Sequence, residues 1–272
     1  MDYGPFLKSL FTTDCAGQKR FKRHPSYQAV VTCGPASVYA PQTMTVAKYC
    51  ATLRHNGVPF VDIIPSVVAA DARIGDPLLE PHSLPGLGKF MAQGSLMHIL
   101  HDAMELESMM GSLDGLTVVE VGPAYGLMFE VLDMRFDIAK YTAVDLEYGC
   151  KLFDLCVGAR SNCVALPFEY ITPDAESPDL FISYYAFTEC VPEIQNMYYE
   201  KYIQNSARGV IMGQHRPEML EMIRCAHPDM YVIHNDKRCA NNVTGEYALA
   251  PGLSWGPLVV WGHGTSTPRY FV

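Results

Sequence analysis

The sequence predicts an α/β protein, in which a doubly wound and mostly parallel sheet of seven strands follows a mostly helical N-terminal extension. Short apolar runs alternate with helical patterns from residue 116 onward, which is typical of βαβ units. A glycine turn follows the first run, in the stretch VVEVGPAYG at 118–126. Between the last two runs lies a Gly/Pro/Asn-containing loop and little helix, which predicts an antiparallel pair at the end of the sheet.

The individual elements follow from the same patterns. The predicted strands cover residues 116–121, 141–145, 163–166, 179–184, 208–213, 230–234 and 257–262. The predicted helices cover residues 95–110, 126–135, 147–157 and 192–206, with a further helix near 44–54. Prolines and glycines between residues 76 and 88 predict a loop. We therefore divide the chain into an N-terminal extension, 1–110, and a sheet domain, 111–272.

Composition narrows the class of protein. The chain has 272 residues, of which 49% are hydrophobic and 18% charged, as in a globular protein with a large core. The net charge of −9 makes nucleic-acid binding and anionic membranes improbable partners, because both require a positive surface. The basic run at 19–24 is the local exception, and we interpret it as a solvated surface segment.

Cysteine usage and the absence of targeting segments bear on the compartment. Nine cysteines without a C-x-x-C pair are typical of reduced thiols in a cytosol-like compartment and offer no zinc spacing. We find no charged-then-apolar leader and no apolar run of the roughly 20 residues that a membrane span requires. We therefore expect a cytoplasmic protein. No group of Asp and His residues has a convincing metal spacing, so we expect no metal; the oligomeric state stays open.

The glycine turn indicates which ligand the sheet binds. A dinucleotide site requires G-x-G-x-x-G, whereas this loop has only Gly122 and Gly126, with Glu120 before them. An acid beside the loop disfavours the pyrophosphate of NAD but can orient water or the ammonium of S-adenosylmethionine. Asp145, at the end of the next strand, can accept hydrogen bonds from both ribose hydroxyls. The pattern favours S-adenosylmethionine over NAD.

These stretches resemble the class I S-adenosylmethionine-dependent methyltransferases, and more narrowly a bacterial and viral family of sugar O-methyltransferases. The matching segments are 118–126, 140–146, 179–189 and 260–262, and residues 74–77 resemble a segment that precedes the catalytic domain in that family. The resemblance covers residues 70–265. It implies a Rossmann-like seven-stranded methyltransferase sheet, S-adenosylmethionine as cofactor, and methylation of a sugar or glycan hydroxyl. Pro123, Ala124 and Met97 depart from the residues usual in the family.

The expected site has a cofactor side and an acceptor side. The predicted cofactor-binding residues are Glu120, Gly122, Pro123, Ala124, Tyr125, Gly126, Asp145, Leu146, Ser183 and Tyr184. A sugar hydroxyl needs a base to remove its proton. His215 and Glu189, which follow neighbouring predicted strands, are the catalytic candidates, and His263 is a weaker third choice. Residues 70–110 are expected to form a lid over the acceptor.

Two other functions stay open. One is a methyltransferase that acts on another small molecule or on a nucleic-acid cap, although the acidic net charge speaks against the cap. The other is a non-catalytic partner that keeps the methyltransferase fold, which only the altered glycine loop supports.

Overall fold

A computed structural model of the chain describes residues 4–12, 20–23, 61–84, 86–172, 174–233 and 257–262. The chain forms two compact units that alternate along the sequence. The N-terminal unit comprises residues 1–105, 125–135 and 155–157, and the sheet unit comprises 106–124, 136–154 and 158–272. The helix predicted near 44–54 lies outside the described residues.

The helices and strands, in chain order, have the following bounds. They are α1 (Gly4–Thr12), α2 (Ile64–Ala72), β1 (Glu80–Leu84), β2 (Gly88–Ala92), α3 (Gly94–Met110), β3 (Thr117–Val121), α4 (Leu127–Arg135), β4 (Lys140–Asp145), α5 (Glu147–Val157), β5 (Cys163–Pro167), β6 (Leu180–Tyr184), α6 (Ala186–Glu189), α7 (Pro192–Tyr198), β7 (Arg208–Met212), α8 (Pro217–Ala226), β8 (Tyr231–Ile233) and β9 (Leu258–Trp261). Short 3₁₀ turns cover Phe21–Arg23 and Phe168–Tyr170, and a π-helical turn covers Tyr199–Ile203.

The sheet unit contains the seven predicted strands, in the order β5-β4-β3-β6-β7-β9-β8. Neighbours from β5 to β7 are parallel, and β9 is antiparallel to both β7 and β8. An inserted antiparallel strand next to the edge is the arrangement of the class I methyltransferase sheet. The predicted fold class is therefore confirmed, including the antiparallel pair at its end.

Continuous apolar runs form the central strands because both faces of a parallel sheet are covered. Val118, Val119 and Val121 of β3 are all buried. At the other end of the sheet, Trp261 on β9 is fully buried and lies opposite Gly209 on β7. A Cβ atom at Gly209 would lie 1.9 Å from the indole ring, so the glycine makes room for the tryptophan.

The N-terminal unit corrects one prediction. Residues 80–84 and 88–92 form an antiparallel hairpin, β1 and β2, whereas the sequence predicted a loop over 76–88 and no strand after it. Pro81 is compatible with this two-stranded sheet because an edge strand does not need every backbone N–H for pairing. Gly86, with φ at +82°, lies in the turn, where its lack of a side chain permits that conformation.

Three further differences lie in the helices of the sheet unit. The helix predicted over 192–206 consists of α7 and the π-helical turn, whose Gln204 N–H donates to the Tyr199 carbonyl. The sequence analysis did not include α6 or α8. The second of these begins at Pro217, a residue that favours the first helical position because it has no N–H to satisfy.

None of the helices in the described part of the chain combines the length and the apolar character needed to cross a membrane.

Candidate active site

The turn after β3 is shaped by close packing. Gly122 has φ at +78°, and a Cβ atom there would lie 2.1 Å from the Cβ of Ala186. Its N–H donates to the Val144 carbonyl at 2.9 Å, which fixes the turn to the end of β4. Ala124 also has a positive φ, +52°, which is costly for a residue with a side chain and is characteristic of functional loops. The carboxyl end of β3 is thus a tightly constrained backbone turn.

Glu120 is buried one residue before the end of β3. Its Oε2 accepts a hydrogen bond from the Tyr141 hydroxyl at 2.5 Å. Burial raises the pKa of Glu120 to about 7; the nearby charge of Asp145 adds to this effect, and the hydrogen bond from Tyr141 opposes it. Glu120 is therefore protonated in a substantial fraction of the molecules at neutral pH.

Asp145 ends the neighbouring strand β4 and is half-buried. Its Oδ1 accepts the Leu146 N–H at 2.7 Å. A Cβ atom at Gly149 would lie 2.4–2.8 Å from the carboxylate atoms, so glycine in the first turn of α5 leaves space for the acid. Burial raises the pKa of Asp145 to about 6, against the effect of the Leu146 hydrogen bond.

The third strand end, that of β5, was predicted from the sequence, but none of the predicted site residues lies there. Pro167 lies opposite Asp145 in the sheet register, and the turn Phe168–Tyr170 follows it directly. Tyr170 is 68% exposed, and Leu146, beside Asp145, is 39% exposed. The signal in the sequence was the stretch PFEY at 167–170, directly after the predicted strand 163–166.

Two predicted cofactor residues lie at the end of β6. Ser183 is fully buried, and its hydroxyl donates to the Val121 carbonyl at 2.9 Å and accepts the Phe187 N–H at 3.0 Å. The hydroxyl therefore connects the end of β3 to the start of α6. Tyr184 is half-buried, and the following Tyr185 has φ at +72°, a second strained position at a strand end.

The last predicted cofactor residues continue the glycine loop. Pro123 is buried in the sheet unit, whereas Tyr125 and Gly126 belong to the N-terminal unit. The Tyr125 hydroxyl accepts a hydrogen bond from Gln93 Nε2 at 2.7 Å and donates to Asp71 Oδ1 at 3.1 Å. The side chain of Tyr125 is therefore engaged in a polar cluster of the N-terminal unit.

That cluster, the Lys22 cluster, consists of Lys22, Asp71, Gln93 and Tyr125. The Lys22 ammonium is 2.8 Å from Asp71 Oδ1, donates also to the Asp71 carbonyl, and lies 4.5 Å from the centre of the Tyr125 ring. Lys22 is 1% exposed, so the interpretation of the basic run as a solvated segment is wrong for this residue. The cause is the long-range partner Asp71, which a local charge pattern does not reveal.

The two candidate bases have different environments. His215 is half-buried after β7, with Nε2 3.4 Å from the Pro257 carbonyl. Burial lowers the pKa of His215, while the backbone carbonyls of Pro257 and Ile211 oppose the shift. A neutral imidazole at physiological pH is suited to accept a proton. Glu189 is exposed at the end of α6. His263 lies outside the described residues.

The segments that carry these two candidates are held together. A Cβ atom at Gly213 would lie 2.0 Å from Thr188 Oγ1, so the end of β7 passes directly beside α6. Arg216 Nε donates to Gln195 Oε1 at 2.8 Å, and the buried Gln195 amide donates in turn to the Cys190 carbonyl at 3.0 Å. His215, after β7, and Glu189, at the end of α6, thus lie on two adjoining segments of the same unit.

Comparison with known proteins gives only distant similarities. No protein-family model and no curated protein matches the sequence.

Among solved structures, the chain is similar to a TehB-like SAM-dependent methyltransferase from Corynebacterium glutamicum. The two share 10% identity and give a TM-score of 0.42 over 60% of this chain and 87% of the other. It is also similar to a Haloferax volcanii protein described as a methyltransferase and solved with a methyltransferase activator, with 15% identity, 59% and 87% coverage and a TM-score of 0.41. A ribosomal-protein methylase from Lactobacillus delbrueckii subsp. bulgaricus gives 13% identity, 60% and 78% coverage and a TM-score of 0.37. Because these scores are low, the fold assignment rests on the strand order of this chain.

Proposed function

We propose that the protein is an S-adenosylmethionine-dependent methyltransferase that methylates a hydroxyl of a sugar or glycan. The observation that carries the proposal is the pair of carboxyls at neighbouring strand ends, Glu120 and Asp145, beside the tight turn at Gly122. Burial raises the pKa of both carboxyls, so each gains from a ligand that brings a cation or hydrogen-bond donors. S-adenosylmethionine brings an ammonium, a sulfonium and two ribose hydroxyls.

Each part of the cofactor has a chemically suited partner. In an open α/β sheet, ligands bind over the carboxyl ends of the strands. Asp145 would accept hydrogen bonds from the ribose hydroxyls, and Glu120 would orient the ammonium directly or through water. The exposed side chains of Leu146 and Tyr170 offer apolar surface to the flat adenine base. The pyrophosphate of NAD would instead meet two carboxyls, which disfavours NAD.

The transfer itself requires one displacement and one proton acceptor. S-adenosylmethionine, held by Glu120 and Asp145, would supply the methyl group with its sulfur as the leaving group, and a base of this chain would take the proton of the acceptor hydroxyl. His215 is the preferred base because its lowered pKa keeps the imidazole neutral, and Glu189 is the competitor. The sugar acceptor is supported by the resemblance of segments 118–126, 140–146 and 179–189 to sugar O-methyltransferases.

Calorimetric titration with S-adenosylmethionine and NAD tests the cofactor. The protein should bind S-adenosylmethionine and not NAD. Asp145→Ala should weaken cofactor binding by about 1–3 kcal/mol, the scale of lost charge-assisted hydrogen bonds. Asp154→Ala, the same change at an exposed position of α5, should leave the affinity unchanged. Binding of NAD, or unchanged affinity in a folded Asp145→Ala protein, would remove this site from consideration.

A methyl-transfer assay on a panel of sugars and glycans tests the base. His215→Ala should lower turnover by about 10²- to 10⁴-fold, because a positioned base contributes that much, while cofactor affinity stays close to wild type. Wild-type turnover should fall at acidic pH as His215 becomes protonated, below the ordinary histidine pKa, and the variant should lose this limb of the profile. If Glu189→Gln loses turnover and His215→Ala keeps it, the roles are reversed.

The proposal extends to the acceptor side. We keep the prediction that residues 70–110 belong to the working enzyme, since the segment 74–77 resembles one that precedes the catalytic domain in sugar O-methyltransferases. A chain that starts at Leu113 should therefore lose acceptor turnover, and full turnover in that chain would contradict this prediction.

A further inference from the structure

Helix α3 presents four ligand-type side chains on one face. His98, His101, Asp102 and Glu105 follow the spacing His-x-x-His-Asp-x-x-Glu. Positions separated by three, four and seven residues lie on the same side of an α-helix. We call these residues the α3 cluster; all four belong to the N-terminal unit. Their side chains are 14%, 8%, 1% and 11% exposed in that order, so the cluster is largely removed from solvent.

The potential ligand atoms converge on a small volume. One atom each from His101, Asp102 and Glu105 lie within 4.8 Å of one another. His101 Nδ1 is 3.2 Å from Asp102 Oδ1 and 3.9 Å from Glu105 Oε2. With metal–ligand bonds of about 2.0–2.2 Å, adjacent ligands of one ion are roughly 3–3.5 Å apart. Small side-chain rotations would therefore bring all three atoms to bonding distance of one ion.

We propose that the α3 cluster binds a divalent metal ion of the Mn²⁺ type through His101 Nδ1, Asp102 Oδ1 and a Glu105 carboxylate oxygen. His98 Nε2 lies 3.0 Å from the other oxygen of Asp102. This is the position of an outer-sphere partner that orients a ligating carboxylate. The proposal revises the expectation of no metal, which rested on the absence of a convincing metal spacing among the Asp and His residues.

Charge and ligand chemistry both fit such an ion. Burying a charge is costly unless it is paired or coordinates a metal. A divalent cation would add positive charge beside the carboxylates of Asp102 and Glu105. The proposed ligands are one imidazole nitrogen and two carboxylate oxygens, which are hard or intermediate ligands. Such a ligand set favours Mn²⁺ over ions that prefer thiolates.

Manganese titration of the full-length chain, stripped of metal with a chelator, tests the site. The electron paramagnetic resonance signal of free aqueous Mn²⁺ decreases when the ion binds, so it measures binding directly. Mn²⁺ has little affinity for thiolates, so the nine cysteines should not compete for it as they would for a softer ion. We expect one ion per chain. Glu105→Gln should weaken binding by more than about 10-fold, since loss of even an outer-sphere partner costs roughly 10- to 100-fold. Glu107→Gln, the same change on the same helix outside the cluster, should leave binding unchanged.

Two further variants make the result independent of one substitution. His98→Gln should keep one ion per chain but weaken binding by about 10- to 100-fold, as expected of an outer-sphere partner. His101→Gln replaces the nitrogen ligand if Glu105→Gln does not fold, and circular dichroism of the metal-free proteins establishes folding. Absence of Mn²⁺ binding by the wild type would overturn the proposal. The proposal would also be overturned if the folded cluster variants bound Mn²⁺ as tightly as Glu107→Gln does. The cluster would then be a hydrogen-bonded structural group.

Discussion

The two units of the molecule each bury a carboxyl group, but they compensate its charge differently. In the N-terminal unit, Asp71 Oδ1 accepts three hydrogen bonds. The donors are Lys22 Nζ at 2.8 Å, Gln93 Nε2 at 2.8 Å and the Tyr125 hydroxyl at 3.1 Å. In the sheet unit, the Glu120 carboxyl accepts one side-chain hydrogen bond from the described residues, that of the Tyr141 hydroxyl at 2.5 Å. Asp71 thus has a full cation beside it, whereas Glu120 has a neutral donor.

This difference separates a structural acid from a candidate ligand-binding acid. The ammonium of Lys22 and the two neutral donors complete the surroundings of Asp71 within the protein. Burial raises the pKa of Glu120 to about 7, because the single hydrogen bond does not offset the loss of water. Strongly shifted pKa values at strand ends are typical of functional sites. A ligand cation would supply for Glu120 what Lys22 supplies for Asp71.

The largest expected effect comes from removing the cation of the completed group. Lys22→Met should lower the free energy of unfolding by about 3–5 kcal/mol, because it leaves Asp71 as a buried carboxylate without its ion-pair partner. Chemical denaturation followed by circular dichroism measures this loss.

Arg23→Met is the matched control for that substitution. Arg23 Nε lies 2.6 Å from Asp76 Oδ2, but both side chains are more than 40% exposed. Exposed ion pairs contribute about 0–1 kcal/mol, so this variant should be nearly as stable as the wild type. Equal losses in the two variants would mean that burial of the Lys22 pair has no special role.

The sheet could be predicted from sequence because each strand depends on its own residues. An apolar run such as 117–121 indicates a buried parallel strand wherever it occurs, and a positive φ at Gly122 follows from the glycine after it. The strand ends and their acids, Glu120 and Asp145, follow from the same local signals. The local pattern therefore predicts both the sheet and the position of two of its candidate site residues.

The rest depends on partners far away in sequence. The burial of Lys22 is possible because Asp71, 49 residues later, meets its ammonium. The hairpin at 80–92 depends on pairing that offsets the weak strand propensity of Pro81, and β5 lies beside Asp145 only in the folded sheet. Such long-range contacts override local propensity, so a single sequence without its fold does not reveal them.

The next effect concerns the proton that Glu120 takes up on folding. Its pKa is raised from 4.5 in the unfolded chain to about 7, so its favourable contribution is complete below pH 4.5 and is lost as the pH rises to about 7. Glu120→Gln stays neutral and should not show this loss. Relative to wild type, the variant should therefore gain up to about 3 kcal/mol in unfolding free energy between pH 4.5 and pH 8.

Denaturation curves over that pH range measure the gain. Glu189→Gln, the same change at an exposed position of the sheet unit, should follow the wild-type curve at every pH. A constant difference between Glu120→Gln and wild type from pH 4.5 to pH 8 would show that Glu120 does not titrate in this window.

The smallest effect concerns the hydrogen bond itself. Tyr141→Phe removes the donor to Glu120 while keeping the buried ring. The loss of stability should be about 0.5–1.5 kcal/mol near pH 5.5, where Glu120 is mostly neutral, and about 1.5–3 kcal/mol at pH 8, because hydrogen bonds to charged groups are stronger. Tyr202→Phe, a second buried tyrosine of the sheet unit, should show the same loss at both pH values. A Tyr141→Phe loss that is equally independent of pH would mean that the hydroxyl stabilises the fold without compensating the charge of Glu120, and the contrast with Asp71 would then rest on burial alone.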